Sequence, residues 1–114
     1  MREVIAAAGH REPDAVLALD VYTHRLRAAI AAMAASLCGL DALVFTGRVG
    51  ERPSEVHARA ADGLSFLGVA LDHAANTAAS TDAAIGAAGS PVRTLVIESR
   101  EDLEIARGVR AALT

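Results

Sequence analysis

The amino-acid sequence predicts an α/β domain in which a long helix and short strands are covered by further helices. Large apolar residues recur at three- and four-residue spacing from Val16 to Leu37, with Thr23 in the one gap, as on one face of a helix. Short continuous apolar runs at 42–45 and 93–97 are typical of buried strands. Because helical and strand segments alternate, we expect one α/β domain over residues 1–114, with ligands favoured where loops leave the strands.

The first long helix is expected to span about 13 to 38. Glu12 and Pro13 suit its first turn, and Gly39 suits its end. Its second face is rich in alanine, so we expect this helix to be covered on two sides. Cys38 is expected to be a small buried residue at the end of the helix.

The later elements follow from local signals. Ser54 is expected to cap a second helix that Gly63 interrupts and Gly68 closes. Residues 69–71 suggest a short strand, and residues 72–90 show no sustained period, so we expect a surface connection with a possible helical turn over 74–79. Ser99 to Asp102 has the form of a capping box, which predicts a final helix from about Arg100 to Leu113.

Composition and charge exclude several classes of partner. The chain has 114 residues, 53% of them hydrophobic, and a formal net charge of −3, so no broad basic face is expected for nucleic acid or anionic lipid. No apolar run approaches the ~20 residues that cross a bilayer, and the first residues lack the core of a signal peptide. We therefore expect a cytoplasmic protein. One cysteine and four unpaired histidines give no internal disulfide and no zinc pattern.

A glycine-containing segment between the first strand and the next helix is the first candidate site. It runs through Gly47, Arg48, Val49, Gly50, Glu51 and Arg52. Backbone N–H groups and a helix N-terminus in this arrangement can bind a phosphate or contact a flat ring. The segment lacks the Gly-Lys-Ser/Thr of a P-loop, so an ordinary strand-to-helix turn remains the alternative.

The second candidate is Glu101, at the start of the last helix, with Asp102 and Glu104 close in sequence. Carboxylates suit Mg²⁺, which takes one or two of them together with waters and substrate phosphates. The alternative is that these acidic residues only favour the helix dipole. The arginines Arg25, Arg27, Arg48, Arg52 and Arg59 are expected to be solvated charges.

Six ordered blocks of sequence resemble the C-terminal region of the acetate and propionate kinase family (acetokinases), and together they cover nearly the whole chain. The glycine segment after its Leu-Asp-Ala strand and the acidic start of the last helix are the most characteristic pair. The blocks are residues 1–4, 20–26, 39–47, 49–51, 63–72 and 101–106.

The resemblance implies an actin-like, sugar-kinase-like (ribonuclease H-like) fold, of which this chain is the later part of the second domain. It implies a phosphotransferase that uses ATP and Mg²⁺ to convert acetate into acetyl phosphate. The family's adenosine-side contacts correspond to Arg2 and to Gly47, Arg48, Val49, Gly50, Glu51 and Arg52, and its Mg²⁺-associated glutamate corresponds to Glu101. It also implies that the N-terminal domain is absent.

Two departures from the family pattern weigh against independent activity. Arg48 stands where the family has glycine, and Arg52 stands where asparagine or histidine is usual. Arginine at 48 either obstructs the nucleotide or contacts its phosphates. The aspartate expected before Met1 is absent, together with the catalytic aspartate and the phosphate loops. We expect the isolated chain to be inactive, and the alternative is a noncatalytic relic that dimerises or complements a separate N-terminal half.

Overall fold

The computed structural model describes residues 1–47, 54–80 and 82–114. Five helices, one short 3₁₀ turn (Ser65–Leu67) and three strands are found within these ranges. In chain order they are α1 (Arg2–Gly9), α2 (Pro13–Ser36), β1 (Ala42–Phe45), α3 (Ser54–Asp62), α4 (His73–Ala78), β2 (Ala83–Ala84), β3 (Arg93–Val96) and α5 (Glu101–Leu113). The mixed α/β class predicted from the sequence is confirmed.

Helix α2 begins at Pro13 and ends in a Schellman motif. Gly39 was expected to take the left-handed position of this motif, but Cys38, one residue earlier, takes it. The N–H of Gly39 donates to Ala34 O at 3.0 Å, and that of Cys38 donates to Ala35 O at 3.2 Å. Cys38 therefore takes the left-handed position, with φ +58°, and its side chain is exposed. The prediction of a buried helical cysteine was wrong because this residue lies just beyond the last turn.

Within the described residues, one face of α2 is covered, and only in part. Leu19, Thr23 and Ala34 are buried, whereas Met33 and Leu37, at the C-terminal end of the predicted apolar face, are 62% and 70% exposed. The alanine-rich second face is largely exposed as well, including Ala29 and Ala32. The expectation of cover on two sides is therefore not met within the described part of the chain.

The sheet is small and has the order β1-β3-β2. Strand β3 lies in the middle, parallel to β1 and antiparallel to the two-residue β2. Helix α4 corresponds to the helical turn expected over 74–79, whereas β2 was not predicted, because two residues are too short to produce a period in the sequence. Residues 69–71 form a single bridge, between Leu71 and Gly86, rather than a strand.

The hydrophobic core lies on one face of this sheet, beneath α3 and α2. Alternation along the strands turns Leu43, Phe45 and Val96 inward, where they meet Ala60 and Leu64. Leu26 and Ile30 of α2 pack against the same cluster. The core therefore fixes the two parallel strands against the helix that follows the glycine segment.

Two arginines, Arg27 and Arg59, link α2 to α3. The guanidinium of Arg27 donates from Nε to the carbonyl of Arg59 at 2.8 Å. Arg59 in turn pairs with Glu55 at 2.7 Å and with Asp20 at 3.0 Å, and its hydrogen bond to Glu55 raises its pKa. Arg27 therefore departs from the expected solvated set, whereas Arg59, whose side chain is 34% exposed, is paired at the surface.

Candidate functional site

The two candidate segments leave the same edge of the sheet. Strands β1 and β3 are parallel, Phe45 is paired with Val96, and the N–H of Ile97 donates to Phe45 O at 2.9 Å. The turn at Gly47 therefore starts beside the connection that leads from β3 to Glu101. This edge, at the carboxyl ends of the parallel strands, is where open α/β sheets bind ligands.

Gly47 is held in a conformation that suits glycine. Its φ is +79°, and within residues 1–47, 54–80 and 82–114 no atom lies within 4 Å of the position that a Cβ atom would take. This backbone angle favours glycine here. The residues Arg48, Val49, Gly50, Glu51 and Arg52 of the predicted site lie outside the described residues.

Glu101 is the first residue of α5 and its side chain is exposed. The N-cap is Arg100 rather than Ser99, which the predicted capping box would place there. Asp82, which immediately precedes β2, holds this connection. Asp82 Oδ1 accepts from the N–H of Glu98 at 2.9 Å, and its carboxylate forms an ion pair with Arg100.

The same contacts set the protonation of Asp82. Its hydrogen bond from Arg100, and then that from the N–H of Glu98, lower the pKa of Asp82 below its ordinary value. Asp82 is thus ionised at neutral pH and ties the strand β2 to the residues immediately before Glu101. It is a positioning contact for the start of α5.

A buried polar network lies behind the glycine turn. Asn76 Nδ2 donates to Ser54 O at 2.9 Å, which leaves Asn76 Oδ1 to accept from His57 Nδ1 at 2.8 Å. The neighbouring ring of Phe45, the last residue of β1, has its centroid 4.5 Å from that of His57. The network therefore joins Phe45, at the end of β1, to Ser54, at the start of α3.

The sequence marks neither His57 nor Asn76 as a site residue. Both side chains are buried, at 1% and 4% exposure. The one sequence signal for Asn76 is its place inside a helix, where asparagine is unfavourable unless its amide has a partner. His57 is thus an interior residue whose ring has a hydrogen-bond partner.

An open cavity of about 360 Å³ lies beside the start of α5. Its wall combines the apolar outer surface of β2 and β3 with the Asp82–Arg100 ion pair; the lining residues are Asp82, Ala83, Ala84, Leu95, Val96, Ile97 and Arg100. Its size lies within the ~300–1,000 Å³ range of small-ligand sites. The cavity therefore combines apolar surface with one ion pair, and its Arg100 wall directly precedes Glu101.

The remaining predicted site residue, Arg2, is exposed on α1, and α1 packs on α2. The structure thus brings Gly47 and Glu101 to one edge of the sheet and places Arg2 on a different element. Among residues 1–47, 54–80 and 82–114, no three His, Cys, Asp or Glu side chains converge to hold a metal ion. No helix in this part of the chain is long and apolar enough to cross a membrane.

Comparison with known proteins gives a consistent result. The model of the acetokinase family matches residues 1–107. The acetate kinase of Gloeobacter violaceus is 53% identical over 107 residues, which are 94% of this chain and 26% of that protein.

Two solved structures share the fold. The acetate kinase of Porphyromonas gingivalis matches 99% of this chain and 29% of its own, with a TM-score of 0.88 and 29% identity. A propionate kinase from Francisella tularensis subsp. tularensis matches 92% of this chain and 27% of its own, with a TM-score of 0.82 and 33% identity. The chain therefore spans between a quarter and a third of the length of these relatives.

Proposed function

The chain belongs to the acetokinase family, and from this membership we propose that it is the nucleotide-contacting part of an acetate kinase-type phosphotransferase. In this proposal Arg2, Gly47 and residues 48–52 contact the adenosine side of ATP. Glu101 is the carboxylate associated with Mg²⁺. The observation that supports it best is that Gly47 and Glu101 leave the same carboxyl edge of the parallel strands.

The residues present fit Mg²⁺ that is held mainly by ATP. Glu101 supplies one exposed carboxylate, and no second protein cluster completes a cage among the described residues. Mg²⁺ commonly takes one or two protein carboxylates and fills its other positions with water and phosphate oxygens. When bound, the ion would neutralise charge on the β- and γ-phosphates.

The complete reaction requires more groups than this chain contains. A carboxylate oxygen of acetate attacks the γ-phosphorus of ATP, the bond from the γ-phosphorus to the β–γ bridging oxygen breaks, and acetyl phosphate and ADP result. Catalysis of such transfers rests on several charged groups that converge on the γ-phosphate. In this proposal the turn at Gly47 and the Glu101 carboxylate bind the nucleotide, but they do not surround its γ-phosphate with charged groups. We therefore expect no turnover by the chain alone.

Titration calorimetry with ATP, in the presence and absence of Mg²⁺, tests this proposal. We expect weak binding that Mg²⁺ strengthens, and Glu101→Gln should remove the strengthening while leaving binding of metal-free ATP in place. Glu104→Gln, which also removes an acidic residue from the first turn of α5, is the matched control. The absence of heat and of any thermal shift at millimolar Mg-ATP would refute nucleotide binding by this chain.

Arg48 stands where the family pattern has glycine, so its effect on ATP binding needs a test of its own. If the long side chain obstructs the nucleotide, Arg48→Gly should increase ATP affinity in the same titration. Unchanged or weaker binding would instead show that obstruction is not the effect of this arginine.

A second candidate function is that of a noncatalytic module that pairs with another copy. The observation in its favour is that large apolar side chains are exposed near both ends of α2. Leu17 and Val21 are 63% and 48% exposed, and Met33 and the C-cap residue Leu37 are 62% and 70% exposed. Sedimentation of the wild-type chain and of Met33→Glu distinguishes the two: a stable monomer for both would exclude this function. In either case we propose a cytoplasmic setting.

A further inference from the structure

Arg100 places a positive charge directly before Glu101, the candidate Mg²⁺ carboxylate. A guanidinium beside such a carboxylate competes with a metal ion for its oxygen atoms, and it also repels the ion because both are cations. Binding of Mg²⁺ at Glu101 therefore requires that the charge of Arg100 be engaged elsewhere. The contacts of Arg100 decide whether Glu101 is available to a metal ion.

The guanidinium of Arg100 is held by Asp82 through both of its terminal nitrogen atoms. Nη2 forms an ion pair with Asp82 Oδ2, and Nη1 donates to Asp82 Oδ1 at 3.4 Å. Paired contacts of this kind fix the orientation of a guanidinium as well as its position. Nη1 also donates to the carbonyl of Glu98 at 3.3 Å, and the Glu98 carboxylate lies 3.8 Å from Nη2. The positive charge of Arg100 is thus directed toward Asp82 and Glu98.

Glu101 takes no part in these contacts. Its side chain is exposed, and no ion pair engages its carboxylate in the described part of the chain. The acidic residues on either side differ, since Glu98 lies near Arg100. Glu104 pairs with Arg107 at 2.8 Å. The arrangement of ion pairs therefore leaves the carboxylate of Glu101 available to a cation.

Asp82 also fixes the backbone from which α5 starts. Its Oδ1 accepts from the N–H of Glu98 at 2.9 Å, across 16 residues of sequence. The φ of Asp82 is +46°, a left-handed conformation that aspartate and asparagine tolerate better than most other residues. Asparagine at position 82 would therefore keep the backbone conformation and an oxygen for the N–H of Glu98, while it would remove the charge that holds Arg100.

We infer that Asp82 is a positioning residue for Mg²⁺ binding, because it holds the guanidinium of Arg100 away from Glu101 and leaves that carboxylate to the metal ion of Mg-ATP. The inference rests on the proposed function, from which it takes the role of Glu101. Asp82 itself does not touch the nucleotide and acts through Arg100.

A direct contact of Arg100 with a phosphate group of ATP is the alternative use of this side chain. Arginine binds phosphate through the same fork of N–H donors that binds a carboxylate. In this chain Asp82 occupies that fork, and the carbonyl of Glu98 takes a further bond from Nη1. The contacts therefore favour an arginine that is held by the protein over one that is presented to the nucleotide.

Titration calorimetry with ATP, with and without Mg²⁺, tests the inference. We expect Asp82→Asn to reduce the Mg²⁺-dependent gain in ATP affinity about fivefold, the effect of one unit charge at ~4 Å in water. The double variant Asp82→Asn/Arg100→Gln should recover the wild-type gain, because no guanidinium is left to be held. Both variants lack the ion pair, so a loss that came only from weakened structure would not be recovered.

Glu98→Gln is the matched control for local charge. It also removes one negative charge beside Arg100, but from a carboxylate that lies 3.8 Å from Nη2 and makes no paired contact with the guanidinium. It should therefore reduce the Mg²⁺-dependent gain less than Asp82→Asn does. Equal reductions would show that local net charge alone is responsible and would overturn the inference.

The carbon-13 signal of the Glu101 side-chain carboxyl provides a measurement without nucleotide or metal. We expect this signal to shift in Asp82→Asn, where Arg100 is released, and to return toward its wild-type position in the double variant. An unchanged signal in Asp82→Asn would overturn the inference. Weaker Mg-ATP binding by Arg100→Gln alone would also overturn it, since it would assign Arg100 to a phosphate contact.

The same titrations separate this inference from the proposed function. If Glu101→Gln removes the Mg²⁺-dependent gain and Asp82→Asn does not, the role of Asp82 is refuted and that of Glu101 stands. If the double variant fails to recover the gain, Asp82 does not act through Arg100 and the inference is overturned. Absence of Mg-ATP binding by the wild-type chain would refute the proposed function and this inference together.

Discussion

Replacement of Asn76 by alanine should destabilise the chain more than any comparable change on the same helix. Asn76 is 4% exposed and links two elements, because its Nδ2 donates to Ser54 O at 2.9 Å and its Oδ1 accepts from His57 Nδ1 at 2.8 Å. The alanine variant removes both bonds. It also leaves a backbone carbonyl and an imidazole N–H beside a small cavity.

The expected loss follows from these contacts. Each hydrogen bond contributes about 1 kcal/mol net, and a buried group left without a partner costs ~1–3 kcal/mol. We therefore expect Asn76→Ala to lower the free energy of unfolding by about 2–4 kcal/mol. That is a large share of the ~5–15 kcal/mol typical of a domain, so the midpoint of thermal unfolding should fall by roughly 10 °C.

Urea unfolding followed by circular dichroism measures this loss. Thr77→Ala is the control, because Thr77 is the next residue, is exposed, and donates from its hydroxyl to His73 O at 2.9 Å within the same helix. It should cost less than about 0.5 kcal/mol. Equal effects of the two substitutions would refute the role given to the network, and a double-mutant cycle with His57→Phe should show coupling above ~0.5 kcal/mol.

Three further predictions concern other contacts. Thr94 is 1% exposed and its Oγ1 has no hydrogen-bond partner among the described residues, so Thr94→Val should stabilise the chain by about 1 kcal/mol in urea unfolding. A Cβ at Gly63 would overlap the guanidinium of Arg27, so Gly63→Ala should cost about 1 kcal/mol, and prior removal of that side chain by Arg27→Ala should abolish the cost. The lowered pKa of Asp82 stabilises the fold above the pKa of the unfolded carboxyl, about 3.9, and this contribution is lost as pH falls through the folded pKa. Asp82→Asn should therefore be less stable than wild type at pH ~7 and converge with it at acid pH, and a constant difference would contradict the assignment.

Most long elements could be predicted from the sequence because their signals are local. The three-four spacing from Val16 onward gives α2, and the continuous apolar runs give β1 and β3. The observed ends of α2 and α5 differ from the predicted ones because the backbone conformation at those ends is not set by the apolar spacing. Cys38 takes the left-handed position that glycine usually fills, and the N-cap of α5 is Arg100 rather than Ser99.

The candidate site could be predicted only in part. The sequence places Gly47 after a strand and Glu101 at a helix start, and the rule that parallel strands share a carboxyl edge brings them together. The hydrogen bonds of Asn76 and the ion pair of Asp82 depend on contacts between residues far apart in sequence. Such tertiary pairs produce no period or motif, so they could not be predicted.

Mapping of amide chemical shifts in the isotope-labelled chain during Mg-ATP addition tests the proposed nucleotide role most directly. We predict that the amides of Gly47 and Glu101 shift together with saturating nucleotide, since both segments leave the carboxyl edge of β1 and β3. The amide of Gly39, which precedes β1 at the opposite edge, should stay in place. Shifts confined to other parts of the chain, or none at millimolar Mg-ATP, would contradict the proposal.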